Sequence, residues 1–167
     1  TTMKATLLKS LMPLALVFTM FSCSPDASDE ANATATLVQN YEYNDTEVKM
    51  AALINTYRVS IGLNELQTVN HISFKSEEHN EYMIENKVVN HDFFQERSQN
   101  IINVLGAVKV NENVAYNYAT PEAALHAWLN SPGHKANIEG SFTHFGISIT
   151  SDPESGRKYY TNIFIKK

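Results

Sequence analysis

The chain has 167 residues, with 13 Lys and Arg against 18 Asp and Glu, a formal charge of −5 at pH 7. Such a balance excludes recognition of nucleic acid or anionic lipid through bulk charge. A single cysteine excludes an internal disulfide, so the fold must rest on its core, and the length suits one domain.

The first element reads as targeting rather than fold. Lys4 and Lys9 make a short basic region, Leu11 to Phe21 is apolar apart from Thr19, and Ser22-Cys23 follows. That run is too short to span a bilayer and fits the apolar region of a secretory signal. Residues 1–22 are therefore expected to be a signal peptide of the lipoprotein type, with Cys23 the lipidated first residue of the mature protein. Met20 and Phe21 are bulkier than such signals usually carry, so a plain signal peptide is the alternative. Cleavage after Ser22 would remove two lysines, taking the charge from −5 to −7 and leaving 145 of the 167 residues. Two or more acyl chains on Cys23 would anchor the protein firmly to a membrane and place it in the cell envelope, at the outer membrane or cell surface. Residues 23–45 are polar, small, acidic and without period, which predicts a flexible tether and a folded domain over 46–167.

From Thr46, Met50, Leu53, Ile54, Tyr57 and Ile61 recur at helical spacing, with Gly62 placed to end the helix. A second helix is predicted over 70–88, and "VNHDFFQERSQN" (89–100) reads as a break. Residues 101–110 are rich in Ile and Val, and "NENVAYNYAT" follows. Thr120, Pro121 and Glu122 supply an N-cap, a first-turn proline and a first-turn acid for a third helix, with Ala124, Leu125, Trp128 and Leu129 as its apolar stripe. "SPGH" (131–134) opens a short fourth helix that Gly140 can close. Phe145, Ile147 and Ile149 then alternate with small or polar residues, and "KYYTNIFIK" (158–166) follows the turn "SDPESGR". Helices first and a hairpin last predict an α+β fold with a mainly antiparallel sheet.

Six histidines are present, and four have ordinary readings. His71 lies at a helix start, His79 sits mid-helix among charges, His126 can pair with Glu122 at i,i+4, and His144 is an edge residue. "HExxH", "CxxC", "GxSxG" and Gly-rich phosphate loops are absent from the sequence, so zincin and α/β-hydrolase readings have no motif. His91 and His134 stand at chain breaks instead, where loops present functional groups. With Ser131 as N-cap, the positive helix end would keep the His134 ring neutral, fit to ligate a metal or accept a proton. Glu112 is a third loop-edge candidate. Two histidines and a carboxylate suit a divalent ion such as zinc with open positions. Their separations of 21 and 22 residues leave convergence open.

The chain resembles the CAP superfamily, the SCP domain of cysteine-rich secretory, antigen 5 and pathogenesis-related 1 proteins, in its bacterial form. "LINTYRVSIGLNEL" (53–66), with Asn55 and Arg58, is similar to the family's first helix and "EEHNEYM" (77–83) to its second. "NHDFF" (90–94), "NENVA" (111–115), "AWLNSPGHKANI" (127–138), "FTHFGISI" (142–149) and "YYTNIF" (159–164) match further family segments in order. The resemblance implies a three-layer α-β-α sandwich around a central, mainly antiparallel sheet. It also implies a cleft lined by His91, Glu112 and His134, where several relatives hold Zn or another divalent ion. Asn111 departs from the family's glycine, Ser131 stands in the region of a second glutamate, and Asn162 replaces a glutamine. Acid-base chemistry that needs two carboxylates is thereby put in doubt. A binding module for a small hydrophobic, lipid, peptide or cell-wall ligand ranks first. A cleft with only a bracing role ranks second. Third is a metal-dependent hydrolase in which His91 and His134 hold the ion and Glu112 activates water.

Overall fold

The computed structural model describes residues 1–2 and 36–167. The chain divides into two units, Thr1–Ala33 and Thr34–Lys167. The expected signal peptide, Cys23 and most of the expected tether lie outside the described residues. Among those residues, no helix is long and apolar enough to cross a membrane.

Among the described residues, five helices and four strands follow in the order α1 (Asp45–Ser60), β1 (Gln67–Thr68), α2 (Asn70–Asn86), α3 (Phe94–Leu105), β2 (Lys109–Tyr116), α4 (Pro121–Leu129), α5 (Pro132–Ile138), β3 (His144–Ser151) and β4 (Lys158–Lys166). The sheet order is β1-β3-β4-β2, antiparallel except for the short parallel β1–β3 pairing. This is the expected α+β, α-β-α sandwich.

Strand alternation decides which residues meet which helices. Phe145, Ile147 and Ile149 of β3, with Tyr160 and Phe164 of β4, pack against Met50 and Ile54 of α1 and Ala124, Leu125 and Trp128 of α4. The opposite face sets Ile163 and Ile165 against Ile72 of α2 and Ile101 of α3, and Val114 and Tyr159 against Met83. The predicted apolar stripes of the first and third helices are thus core, except that Ile61 lies past the end of α1 and is exposed.

Helix α1 begins in a full capping box: the Asn44 side chain accepts from the backbone of Thr46 and Glu47, and Glu47 reaches back to the Asn44 N–H. Glu47 is almost fully buried, yet its Oε1 accepts from the Ile149 amide at 2.8 Å, tying α1 to β3. The fully buried Arg58 donates to the carbonyls of Asn64, Ile138 and Gly140, and so holds the end of α5. Asn55 exchanges two hydrogen bonds with the Leu66 backbone, so the family-like Asn55 and Arg58 are both scaffold.

Three local expectations differ from the structure. The break predicted over 89–100 is interrupted by α3, which begins at Phe94. Its N-cap, Phe93, sits in left-handed backbone with no capping side chain, so the usual start signal is missing. The tether expected to reach residue 45 does not stay free at its end. Tyr41 bonds to Glu47 and Ser148, Tyr43 to Asn70 and Ser73, and the Val38 amide donates to His71. Finally, Glu122 pairs with Lys49 rather than with His126, which instead receives the Asn130 amide.

Candidate functional site

The site is built on β2, the strand at one edge of the sheet. In "NEN" (111–113), alternation sends Glu112 to the α2/α3 face and Asn111 and Asn113 to the α5 side.

On the first side, Glu112 is an enclosed carboxylate, its side chain only 2% exposed. Arg97 of α3 grips it: Nε donates to Oε2 at 3.0 Å, and Nη2 donates to Oε1 and Oε2 at 2.9 and 2.8 Å. A third guanidinium nitrogen, Nη1, donates to the Asp92 carbonyl at 2.8 Å and so ties this pair to the loop that carries His91. His91 Nδ1 lies 2.8 Å from Glu112 Oε1, and its side chain is 52% exposed. His79 Nε2 is 3.9 Å from the same oxygen and bonds to the Asn90 carbonyl, while its buried Nδ1 has no partner among the described residues. Tyr82 stacks on His79, and the exposed Phe93 meets Tyr82 edge-on.

Burial alone would raise the Glu112 carboxyl. The His91 hydrogen bond and the positive field of Arg97 outweigh it and hold the group below the ordinary carboxylate range. Burial pushes the His79 ring down, against the pull of Glu112. A neutral His79 beside an ion-paired Glu112 and Arg97 follows from those directions.

On the other side, α5 docks through an amide network. Asn137 Nδ2 donates to the Glu112 carbonyl at 3.1 Å and to Asn113 Oδ1 at 2.8 Å, Asn111 donates to Asn137, and Asn113 donates to the His134 carbonyl at 3.0 Å. Ser131 is the N-cap as expected, but its side chain makes no capping bond. Burial first, and the nearby His91 second, hold the His134 ring below its ordinary value. Its ring borders a groove of about 260 Å³ lined also by Ala115, Tyr118, Trp128 and Ser131. Trp128 Nε1 donates to the Val114 carbonyl at the bottom of this groove.

His91 and Glu112 are therefore in direct contact, and His134 is carried on α5, near enough to His91 for the two rings to act on each other electrostatically. As arranged, the three do not fit a shared cation. Arg97 occupies both Glu112 oxygens, and among the described residues no group of three or more His, Cys, Asp or Glu is spaced to hold a metal ion. Two residues central to this site, Arg97 and Asn137, were missed in the sequence. Arg97 had a signal: it shares a helix face with Ile101, four residues on, where a lone charge asks for a buried partner.

An α-β-α sandwich with a carboxylate on its edge strand, beside a loop histidine (His91) and a helix histidine (His134), is the arrangement expected of an SCP domain. The chain belongs to the cysteine-rich secretory protein (CAP) family, whose model matches residues 51–164. It is 35% identical over 126 residues, 73% of this chain, to the membrane protein YlbC of Bacillus subtilis. It spans only 35% of YlbC and 21% of a second relative, YkwD of the same organism, which it matches at 44% identity over 57 residues, 34% of this chain. Among solved structures, an outer surface protein of Borrelia burgdorferi aligns with a TM-score of 0.67 at 18% identity, over 78% of this chain and 99% of its own. An extracellular SCP-domain protein of Bacillus anthracis aligns at 0.64 with 25% identity, over 77% of this chain and 45% of its own.

Proposed function

We propose that the protein is an extracytoplasmic binding module, anchored to a membrane through lipidated Cys23, that takes a small hydrophobic or peptide ligand beside β2. The observation carrying this reading is the groove of about 260 Å³, where aromatic walls (Tyr116, Tyr118, Trp128) meet polar groups at Ser131 and His134. Relatives described as membrane, outer surface and extracellular proteins support the location. Trp128 is the only tryptophan of the chain, so its emission should report occupancy directly. Titration with fatty acids and with short peptides should give a saturable change in Trp128 fluorescence that His134→Ala weakens. Flat titrations across both ligand classes would remove the reading. Incorporation of a fatty-acid analogue that Cys23→Ala abolishes tests the anchor.

A divalent ion belongs to this reading only if Arg97 releases Glu112. Hydrolysis is not favoured, because the carboxylate meant to activate water is already bound by a guanidinium.

A further inference from the structure

We infer that Arg97 is the resident cation of the cleft, standing on Glu112 where a divalent ion would have to bind, and that through Glu112 it fixes His91 as a hydrogen-bond acceptor for the ligand. The ligand part rests on the binding reading above; the cation part does not.

An ionised carboxylate offers about four lone-pair sites. On Glu112 three contacts come from Arg97 N–H groups and a fourth from His91 Nδ1, all between 2.8 and 3.0 Å. Nothing remains on the carboxylate for an inner-sphere metal bond. A guanidinium cannot be deprotonated in a protein and cannot be removed by a chelator, so the positive charge here is permanent. Its planar fork matches the carboxylate bidentately, and its remaining nitrogen holds the Asp92 carbonyl next to His91. The whole His91 loop is thereby tied to the same ion pair.

The consequence for His91 is chemical. An ionised carboxylate only accepts, so Nδ1 must carry the hydrogen in the contact with Glu112. In the neutral ring Nε2 is then the acceptor, on a side chain that is half exposed. A ligand N–H or O–H donor is the group this arrangement recognises. Arg97 is a positioning residue: it acts on the ligand through Glu112 and His91.

The test uses the full chain, stripped with a chelator, and zinc alone as probe. Calorimetric titration should show no zinc site that depends on Glu112, and the melting temperature should not respond to EDTA. Zinc binding that is unchanged in Glu112→Gln counts with this result, because it places the ion elsewhere. One saturable site abolished by both His91→Ala and Glu112→Gln would overturn the inference. Nitrogen-15 NMR above the histidine titration range should show His91 with the hydrogen on Nδ1. The paired variant Arg97→Met with Glu112→Leu removes both charges together, and in it His91 should revert to the Nε2–H form that a free imidazole prefers. An unchanged His91 tautomer in that variant, or Nδ1 without hydrogen in the wild type, would sink the positioning role. Should the pair not fold, the wild-type zinc and tautomer measurements still decide. None of these needs a known ligand, so failure of the binding reading and failure of this one are separable.

Discussion

Gly146 of β3 is where the sheet backbone comes against the start of α2, and a single methyl group there tests how the site is held. A Cβ on Gly146 would run into the Ser73 amide and would lie 2.5 Å from the Ile72 carbonyl carbon and 2.6 Å from the Ile72 Cβ, against the 3.4 Å at which ordinary contact begins. Two of these obstacles are backbone, so the helix itself must withdraw by at least about 0.9 Å, the difference between 3.4 and 2.5 Å. A gap of that size forfeits about a quarter to a half of the dispersion energy across it. Ile72 and Met83 are the fully buried hydrophobic side chains that α2 lays on the sheet, together worth about 3–6 kcal/mol, so the packing loss is about 1–3 kcal/mol. Bonds from Ser76 Oγ to the Gly146 carbonyl and from the Ile147 amide to Ser73 Oγ stretch at the same time. Gly146→Ala should therefore cost roughly 2–3 kcal/mol, in the range for overpacking, and lower the melting temperature by roughly 6–15 °C. Urea unfolding at 25 °C with an unchanged slope is the assay. Gly133→Ala, where a Cβ meets nothing within 4 Å, is the control and should cost nothing. A loss below about 0.5 kcal/mol at Gly146, well under the overpacking range, would refute the close approach and with it the placement of His79 beside Glu112.

Glu112→Gln leaves the Arg97 guanidinium buried with half a partner and should cost roughly 3 kcal/mol by chemical denaturation. The same carboxyl sets an acid limb. Its folded value lies below the ordinary 4.5, so its contribution is complete above pH 4.5 and lost as the pH falls through the folded value. The Gln variant should lack that limb, and an identical acid profile would count against the ion pair. Burial holds His71, His79 and His134 below their ordinary 6.5, so the unfolded chain takes up protons there that the fold refuses. Stability should fall as pH drops through 6.5, and a flat urea midpoint between pH 7.5 and 5 would contradict this. Asn162 is fully buried, and neither atom of its amide has a partner among the described residues. Asn162→Leu should therefore be neutral or stabilise by about 1–3 kcal/mol, and a clear destabilisation in urea would mean that the amide is satisfied.

Sequence patterns carried the parts of this fold that are local. Thr120 and Pro121 announce α4 because capping is settled within one turn, and the β3–β4 hairpin is legible because alternation and a turn lie side by side. Helix α3 was not legible, because its start is a left-handed Phe93 without a cap and its buried face holds Arg97 and Ser98 beside Ile101. A polar buried face looks like a loop until its partner is known. The same holds for the site. His91 and Glu112 stood out as loop-edge groups, but nothing local says that the third member of their cluster is Arg97 rather than His134. His79, read as one charge-flanked residue among many, is buried because α2 turns it toward β2. Residues 36–44 read as polar filler, yet Tyr41 and Tyr43 pin them through hydroxyl bonds whose partners are 6 to 107 residues away.

Asn-Glu-Asn on an edge strand is an economical way to serve two layers at once. One step along β2 reverses the face, so Glu112 fixes the His91 loop through α3 while its neighbours fix α5 through Asn137 and the His134 carbonyl. An open strand edge would ordinarily invite another strand to pair with it. Here the Glu112 carbonyl is taken by Asn137 and the Val114 carbonyl by Trp128, so two central acceptors that a visiting strand would need are already bonded. The backbone of His134 is the anchored part, which leaves its imidazole to border the groove, and His91 is held from behind by a carboxylate that Arg97 has neutralised. His91 is thus set by a contact behind its ring and His134 through its backbone, so both imidazoles are carried on fixed supports.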